Sequence, residues 1–208
     1  MNRRLVFLIL LVFLLASAAL GLFTGGMQLP PGEIIRALFH SGSDGIAGTL
    51  VWELRIPRIF TAGVVGSALA ACGVVFQAIL RNPLAEPYTL GVSGGGSLGA
   101  VIAILLGISG FPMVLICFAG CCLSIGTVLG AASIKGYSNS MLILVGIIMS
   151  FLFSSVVMFI FAVASSREVH SSILWLMGSL SAPPAGSVKM LLMALPVMLS
   201  LPFFARDL

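Results

Sequence analysis

Charged residues are scarce in this chain of 208 residues: aspartate, glutamate, lysine and arginine together make up 8% of it. An ordinary soluble domain has about 25% charged residues, and this chain is instead 60% hydrophobic. A bilayer core about 30 Å thick takes ~20 apolar residues per crossing helix. The composition therefore predicts an all-α, polytopic membrane protein.

Lysine is almost absent, which limits nucleotide chemistry. The first lysine is Lys135, so no Gly-Lys-Ser/Thr follows the glycines near residue 95 as a phosphate-binding P-loop requires. Gly94-x-Gly96-x-x-Gly99 matches the dinucleotide fingerprint, but no predicted strand precedes it, and the fingerprint needs one. The net charge of +4 includes no basic cluster interleaved with aromatic residues, so no nucleic-acid partner is predicted.

Only two histidines occur, and they bear on a possible serine nucleophile. Gly91-Val92-Ser93-Gly94-Gly95 fits Gly-x-Ser-x-Gly and resembles the Gly-x-Ser-Gly of rhomboid intramembrane proteases. Such a serine needs a histidine base within hydrogen-bond reach, and His40 and His170 are both in predicted loops. No catalytic residue is assigned, and the protease stays an alternative.

The four cysteines, Cys72, Cys117, Cys121 and Cys122, all lie inside apolar segments. Disulfide-forming machinery has no access there. Cys117 and Cys121 share a helix face at i and i+4, but no polar side chain that could complete a metal site is near them. These cysteines are interpreted as packing residues, and neither a metal nor a cofactor is predicted.

The apolar stretches predict about six spans, at residues 5–22, 57–80, 92–106, 112–134, 141–164 and 188–204. Arg3 and Arg4 are expected to hold the N-terminus in the cytoplasm. A signal peptide cleaved near Ala16-Ser17-Ala18 is the alternative reading of the first span. Residues 25–56 are predicted to form an outer loop with a short amphipathic helix from Pro30-Pro31 to His40, and the apolar segment 171–180 is expected to be re-entrant or interfacial because it is too short to span.

The polar, glycine-rich stretch between spans two and three is predicted to be a tight elbow. Asn82-Pro83 is expected to end the preceding helix, because Asn tolerates the left-handed cap position and Pro cannot continue the helix. Pro87 should hold Glu86 extended, Arg81 and Glu86 are expected to pair, and Ser93 is expected to cap the next helix. The glycines from Gly94 onward should let another backbone approach closely. The residues assigned to the elbow are Gln77, Arg81, Asn82, Pro83, Glu86, Pro87, Gly91, Ser93 and Gly94.

The basic residues do not fix the orientation by their total. On the predicted topology, Arg3, Arg4, Arg81, Lys135 and Arg206 are inside, and Arg36, Arg55, Arg58, Arg167 and Lys189 are outside. The positive-inside rule gives no orientation when the two counts are equal, so the predicted orientation depends on the basic residues before the first helix. Arginines outside, above all Arg55 and Arg58 at the start of span two, suggest an acidic partner.

Four motifs in order carry a resemblance to a known family: Leu54-Arg55-Ile56-Pro57-Arg58, Gly73-Val74-Val75-Phe76-Gln77, Arg81-Asn82-Pro83-Leu84-Ala85-Glu86-Pro87 and Leu90-Gly91-Val92-Ser93-Gly94-Gly95. The chain closely resembles the permease subunits of ABC importers for iron-siderophores, haem and cobalamin, the FecCD family. A weaker likeness continues through Trp175-Leu176-Met177-Gly178-Ser179.

The resemblance implies a transporter subunit of the cytoplasmic (inner) membrane rather than an enzyme, with a fold of the cobalamin-importer permease type. Family members have about ten spans and pair as a homodimer or pseudodimer around a central path. Two cytoplasmic ATP-binding cassette ATPases lie below, and an extracytoplasmic substrate-binding protein docks above. Residues 1–208 would then be a single transmembrane permease domain without the family's last spans and ATPase-docking helix. A non-transporting membrane scaffold is the further alternative, and membrane lipid surrounds the protein on either reading.

The resemblance also implies roles for particular residues. Arg55 and Arg58 would receive glutamates of the binding protein, and the planar fork of arginine suits a carboxylate. Ser138 and Asn139 would narrow the translocation path on its cytoplasmic side. Span five would line that path with Ser150 and Ser154, although its serines are equally compatible with bonding back to the helix backbone. No residue distinguishes ferric siderophore, haem and cobalamin.

Overall fold

The computed structural model describes residues 2–39, 45–134 and 138–180, and in these ranges the chain is helical without a strand. The helices are α1 Arg3–Phe23, α2 Pro31–Phe39, α3 Ile46–Thr49, α4 Ile56–Leu80, α5 Val92–Leu105, α6 Phe111–Ile134, α7 Asn139–Val163 and α8 Ser166–Leu176. A π-helical segment, Leu50–Arg55, joins α3 to α4, and a 3-10 turn, Pro87–Leu90, precedes α5. The all-α prediction is confirmed.

Four helical stretches are long and apolar enough to cross a bilayer: Arg3–Phe23, Ile46–Leu80, Phe111–Ile134 and Asn139–Val163. They correspond to four of the six predicted spans, so the protein is a multi-pass membrane protein. The third predicted span corresponds to α5, which has 14 residues and is short, as its glycine content suggested. The sixth predicted span, residues 188–204, lies outside the described residues.

The helix that contains the second span begins earlier than the sequence predicted. It was expected to start at Pro57, but the helical stretch runs from Ile46, so residues 46–56 are not loop. The chain is π-helical as far as Arg55, and the N–H of Ile56 bonds to the carbonyl of Val51, five residues back. We attribute the tolerance of Pro57 to this wider turn, because proline has no N–H to donate and its ring crowds an ordinary α-helical turn.

The first of two compact units takes in the described residues up to Leu69, together with Leu180. Its core buries Ile34 and Ala37 of α2 against Val51 of the π-helical segment. The indole N–H of Trp52 donates to the carbonyl of Ala37 at 2.9 Å. The short amphipathic helix predicted in this region is therefore confirmed, and the π-helical segment is the element on which it packs.

The second unit runs from Ala70 to Ser179, and α5 packs closely on α6 within it. A Cβ placed on Gly95 would overlap the carbonyl oxygen of Gly120, and one placed on Gly120 would overlap that of Gly95. A Cβ on Gly99 would lie 2.7 Å from the carbonyl oxygen of Ile116. Only glycine permits backbones this close, so the close approach predicted for this glycine-rich helix is confirmed.

Candidate functional site

The elbow, residues 81–91, begins where α4 ends in a Schellman motif. The N–H of Arg81 bonds to the carbonyl of Ala78 at 3.3 Å, and the N–H of Asn82 bonds to the carbonyl of Gln77 at 3.2 Å. The left-handed residue is Arg81, with φ 48°, and not Asn82 as predicted. Asn82 instead accepts the N–H of Leu84 with its side-chain oxygen at 3.0 Å, which forms a turn around the exposed Pro83.

The elbow ends at Gly91, which is buried and left-handed with φ 73°. Glu86 has extended backbone before Pro87, as predicted. The prediction for Ser93 is wrong, because Gly91 occupies the N-cap position of α5 and no side chain caps this helix. The 3-10 turn Pro87–Leu90 leads directly into Gly91 and determines where α5 begins. The N-cap position is therefore Gly91, two residues before Ser93.

Hydroxyl groups of two neighbouring helices surround Gly91. Ser124 of α6 is fully buried and donates to the carbonyl of Gly91 at 2.8 Å. A Cβ on Gly91 would lie 3.0 Å from the carbonyl oxygen of Gly146 and 3.4 Å from Oγ of Ser150, both on α7. A Cβ on Gly94, one turn further along α5, would lie 3.2 Å from Cβ of Phe153, also on α7. The start of α5 is therefore fixed by contacts with both α6 and α7.

Sequence reasoning missed Ser124, although a hydroxyl within an apolar span was an available signal. A serine in a membrane helix either bonds back to its own helix or reaches a neighbouring element. Ser124 reaches a carbonyl 33 positions away in the sequence. It thereby satisfies a buried backbone acceptor that would otherwise cost free energy.

The residues assigned to the path and gate have defined places in and beside α7. Ser138 caps α7 by accepting the N–H of Met141 at 3.1 Å. The amide of Asn139 donates to the carbonyl of Leu80 at 2.8 Å, and Leu80 is the last residue of α4, whose carbonyl has no partner within the helix. Ser150 bonds back to Gly146 at 2.9 Å, and Ser154 is exposed.

The two arginines assigned to docking differ sharply in their surroundings. Arg55 is 7% exposed, and its guanidinium donates to the carbonyls of Leu22 at 2.6 Å and Met27 at 2.7 Å. Arg58 is exposed, and within the described residues it has no hydrogen bond or ion pair. Both line a groove of about 690 Å³ whose walls include small residues of α1 and α4, among them Gly21 and Gly63.

The structure corrects the prediction for His170, which lies in α8 rather than in a loop. A capping box starts this helix: Oγ of Ser165 accepts the N–H of Glu168 at 3.4 Å, and the backbone N–H of Ser165 donates to Oε2 of Glu168 at 2.8 Å. The hydroxyl of Ser165 also donates to Oε2 of Glu168, at 2.7 Å. The hydroxyl bond first, and then the backbone bond, hold the pKa of Glu168 below its ordinary value near 4.5. The Ser-x-x-Glu spacing signals this start in the sequence.

Ser93 and His170 share no hydrogen bond in the part of the chain that the structure describes. That part also holds no group of three or more histidine, cysteine or acidic side chains that could bind a metal. Cys121 has a packing role instead, because its sulfur would lie 2.9 Å from a Cβ on Gly96.

Comparison with known proteins adds an independent line of evidence. The profile of the FecCD transport family matches residues 9–208. The chain is 34% identical over 197 residues to an uncharacterized ABC transporter permease protein, YvrB of Bacillus subtilis. This match covers 86% of the chain and 55% of YvrB. It is 35% identical over 176 residues to the achromobactin transport system permease protein CbrC of Dickeya dadantii. This match covers 82% of the chain and 49% of CbrC.

The chain is also 33% identical over 198 residues to the vitamin B12 import system permease protein BtuC of Vibrio vulnificus. This match covers 94% of the chain and 57% of BtuC. Among solved structures it matches an ABC transporter described as metal-chelate type, in an inward-facing conformation. That match has a TM-score of 0.70 and 29% identity, and it covers 91% of this chain and 56% of the other. The chain thus spans about half the length of the curated relatives it matches.

Proposed function

Because the chain belongs to the FecCD transport family, we propose that it forms part of the transmembrane permease of an ABC importer for an iron-siderophore, haem or cobalamin-type chelate. Members of this family are transport components and not enzymes. The observation that carries the proposal is the match of 91% of the chain, at a TM-score of 0.70, to a transporter described as metal-chelate type.

The proposal includes the partners that such an importer needs. A pair of ATP-binding cassette ATPases on the cytoplasmic side supplies the energy, and a substrate-binding protein delivers the chelate from the other side. A second permease subunit completes the path. Arg3 and Arg4 at the start of α1 favour a cytoplasmic N-terminus.

Ser138 and Asn139 are proposed as the cytoplasmic narrowing of the path, with Ser150 and Ser154 further along α7. The bond from Asn139 to Leu80 supports this proposal, because it fixes the start of α7 to the end of α4. Replacing Asn139 with Trp should block uptake while membrane insertion stays normal. Unchanged uptake would remove both Ser138 and Asn139 from the gate.

Uptake of labelled substrate tests the function itself. The protein is expressed in a bacterial host without its own siderophore, haem and cobalamin permeases, together with an ATP-binding cassette ATPase, a second permease subunit and a substrate-binding protein of one such importer. We expect accumulation of one of the three chelates, and no accumulation when the phosphate-binding lysine of the ATPase is replaced. Correct membrane insertion without uptake of any of the three contradicts the proposal.

A fluorophosphonate probe tests the protease alternative in the same membranes. A serine nucleophile activated by a base would become labelled at Ser93. We expect no labelling there, because Ser93 and His170 share no hydrogen bond in the described residues. Labelling that is lost in Ser93→Ala would favour the protease.

A further inference from the structure

Both ends of the elbow are held by side chains of neighbouring helices. Asn139 of α7 donates to the carbonyl of Leu80, just before the elbow, and Ser124 of α6 donates to the carbonyl of Gly91, its last residue, each at 2.8 Å. We propose that the elbow is a strap with a fixed end at Gly91 and a latch at Leu80, and that release of the latch opens the cytoplasmic end of the path. This inference rests on the proposed function, because it adds a moving part to the narrowing proposed at Asn139.

Gly91 is the fixed end because its surroundings are closed. Ser124 is fully buried, so water cannot compete for the bond that it donates to Gly91. A Cβ on Gly91 would lie 3.0 Å from the carbonyl oxygen of Gly146 of α7, so a second helix encloses the same residue. Glycine adopts the φ of 73° found here without strain. This end of the elbow is therefore held between α6 and α7 with no strain stored in it.

The latch at Leu80 is a single bond from an exposed side chain. Leu80 is the last residue of α4, and its carbonyl has no partner within the helix. Asn139 is exposed, so water can solvate its amide as soon as the bond to Leu80 breaks. The net free-energy cost of breaking such a bond is small compared with the loss of a buried donor. Of the two bonds that hold the elbow, the one at Leu80 is therefore the one that can open.

Arg81 stores backbone strain beside the latch. Its φ is 48°, and it is the one residue other than glycine with a positive φ in the described ranges. A side chain with a Cβ disfavours this conformation by roughly fivefold or more. Release of the latch lets Arg81 return to an ordinary φ, so its strain opposes the bond from Asn139. Ala85, in the middle of the elbow, is 1% exposed, and its burial favours the latched state. The strap thus has two states whose free energies are close.

The elbow is tied internally, so it moves as one piece. The N–H of Leu84 bonds to the side-chain oxygen of Asn82, and the N–H of Ala85 bonds to the carbonyl of Asn82, both at 3.0 Å. The 3-10 turn Pro87–Leu90 then leads into Gly91. A break at the latch is therefore passed along the strap as far as Gly91, and it displaces the exposed Leu84 at the tip.

A distance between two nitroxides tests the latch in the protein itself. Leu84 and Met158 of α7 are 82% and 67% exposed, so labelled cysteines can replace both after the four native cysteines are changed to alanine. In lipid nanodiscs, double electron–electron resonance should show one main distance. We expect Asn139→Asp to raise the proportion of a second distance about tenfold, because a carboxylate has no hydrogen to donate to the carbonyl of Leu80.

Ser138→Asp is the matched control for the added charge. It places the same negative charge one residue earlier, at the N-cap of α7, where aspartate can still accept the N–H of Met141. The bond from Asn139 to Leu80 is left intact. We expect this variant to give the distances of the wild type.

Arg81→Gly and Arg81→Ala test the stored strain with the charge held equal. Both variants remove the guanidinium, but only glycine relieves the left-handed strain. We expect Arg81→Gly to lower the proportion of the second distance about fivefold relative to Arg81→Ala, and to do the same in the Asn139→Asp background. In the assembled importer, Arg81→Gly should then take up substrate more slowly than Arg81→Ala, because release of the latch becomes rarer.

Three results would overturn the inference. The first is equal distances in Asn139→Asp and Ser138→Asp, and the second is equal distances in Arg81→Gly and Arg81→Ala. The third is a shift in distances that leaves uptake equal in the two Arg81 variants, because the strap would then not open the path. Failure of the proposed function gives a different result: the wild-type protein takes up no chelate, while the nitroxides still report whether the latch opens.

Discussion

The contact between α5 and α6 makes a quantitative prediction for Gly120→Ala. The new methyl group would overlap the carbonyl oxygen of Gly95 and lie 3.0 Å from its carbonyl carbon. Both obstacles are backbone atoms, so the helices must separate by roughly 1 Å, a gap that forfeits a quarter to a half of each dispersion contact. Overpacking of this kind costs about 1–3 kcal/mol. The higher helix propensity of alanine offsets up to about 1 kcal/mol of this loss in the free energy of unfolding.

Gly126→Ala on the same helix is the matched control, because a Cβ there has no neighbour within 4 Å. It carries the same propensity gain without the clash, so the difference between the two variants isolates the clash, at about 2 kcal/mol. The assay is unfolding of the purified protein by titration of SDS into mixed micelles, followed by circular dichroism. Equal midpoints for Gly120→Ala and Gly126→Ala would refute the close backbone contact.

Three further predictions concern local contacts. Ser124→Ala should lower the free energy of unfolding by about 1–3 kcal/mol in the same assay, because the buried carbonyl of Gly91 loses its donor. Arg81→Gly should raise it by about 1 kcal/mol, because glycine adopts the left-handed conformation without strain, and no change would contradict the assigned φ. Since the pKa of Glu168 is lowered in the folded protein, its contribution to the start of α8 should be complete above the ordinary pKa and disappear as pH falls through the lowered one. Hydrogen-exchange protection of the first turn of α8 should show this loss, and Glu168→Gln should abolish the pH dependence.

Hydropathy and glycine content were sufficient to predict the parts of the fold that depend on solvation and close packing. An uncharged stretch such as 141–164 would be unstable in water, so a membrane-spanning helix could be predicted there from the sequence. The approach of another backbone to the Gly95 region followed equally directly, since Gly95 and Gly99 are one turn apart with no side chain between them. The sequence did not predict that Gly120 of α6 is the partner of Gly95, because that contact depends on how the two helices align.

The errors have a common physical cause, which is that local preference was overridden by neighbouring geometry. Pro57 is a good first residue of a helix, but the π-helical turn before it let the helix start earlier. Asn82 prefers the left-handed position more than Arg81 does, yet its side chain was needed in the following turn. The inward bonds of Arg55 could not be foreseen, because their acceptors are backbone carbonyls and any residue supplies one.

The shortness of α5 has a consequence for how the chain enters the membrane during synthesis. Its 14 residues extend about 21 Å at 1.5 Å per residue, which is less than the hydrocarbon thickness of about 30 Å. Lipid alone therefore retains this helix poorly when it leaves the ribosome. The 24-residue α6 follows after five residues, 106–110, and its Gly120 meets Gly95. We expect α6 to be the anchor that draws its predecessor into the bilayer, so the two helices are inserted as one hairpin.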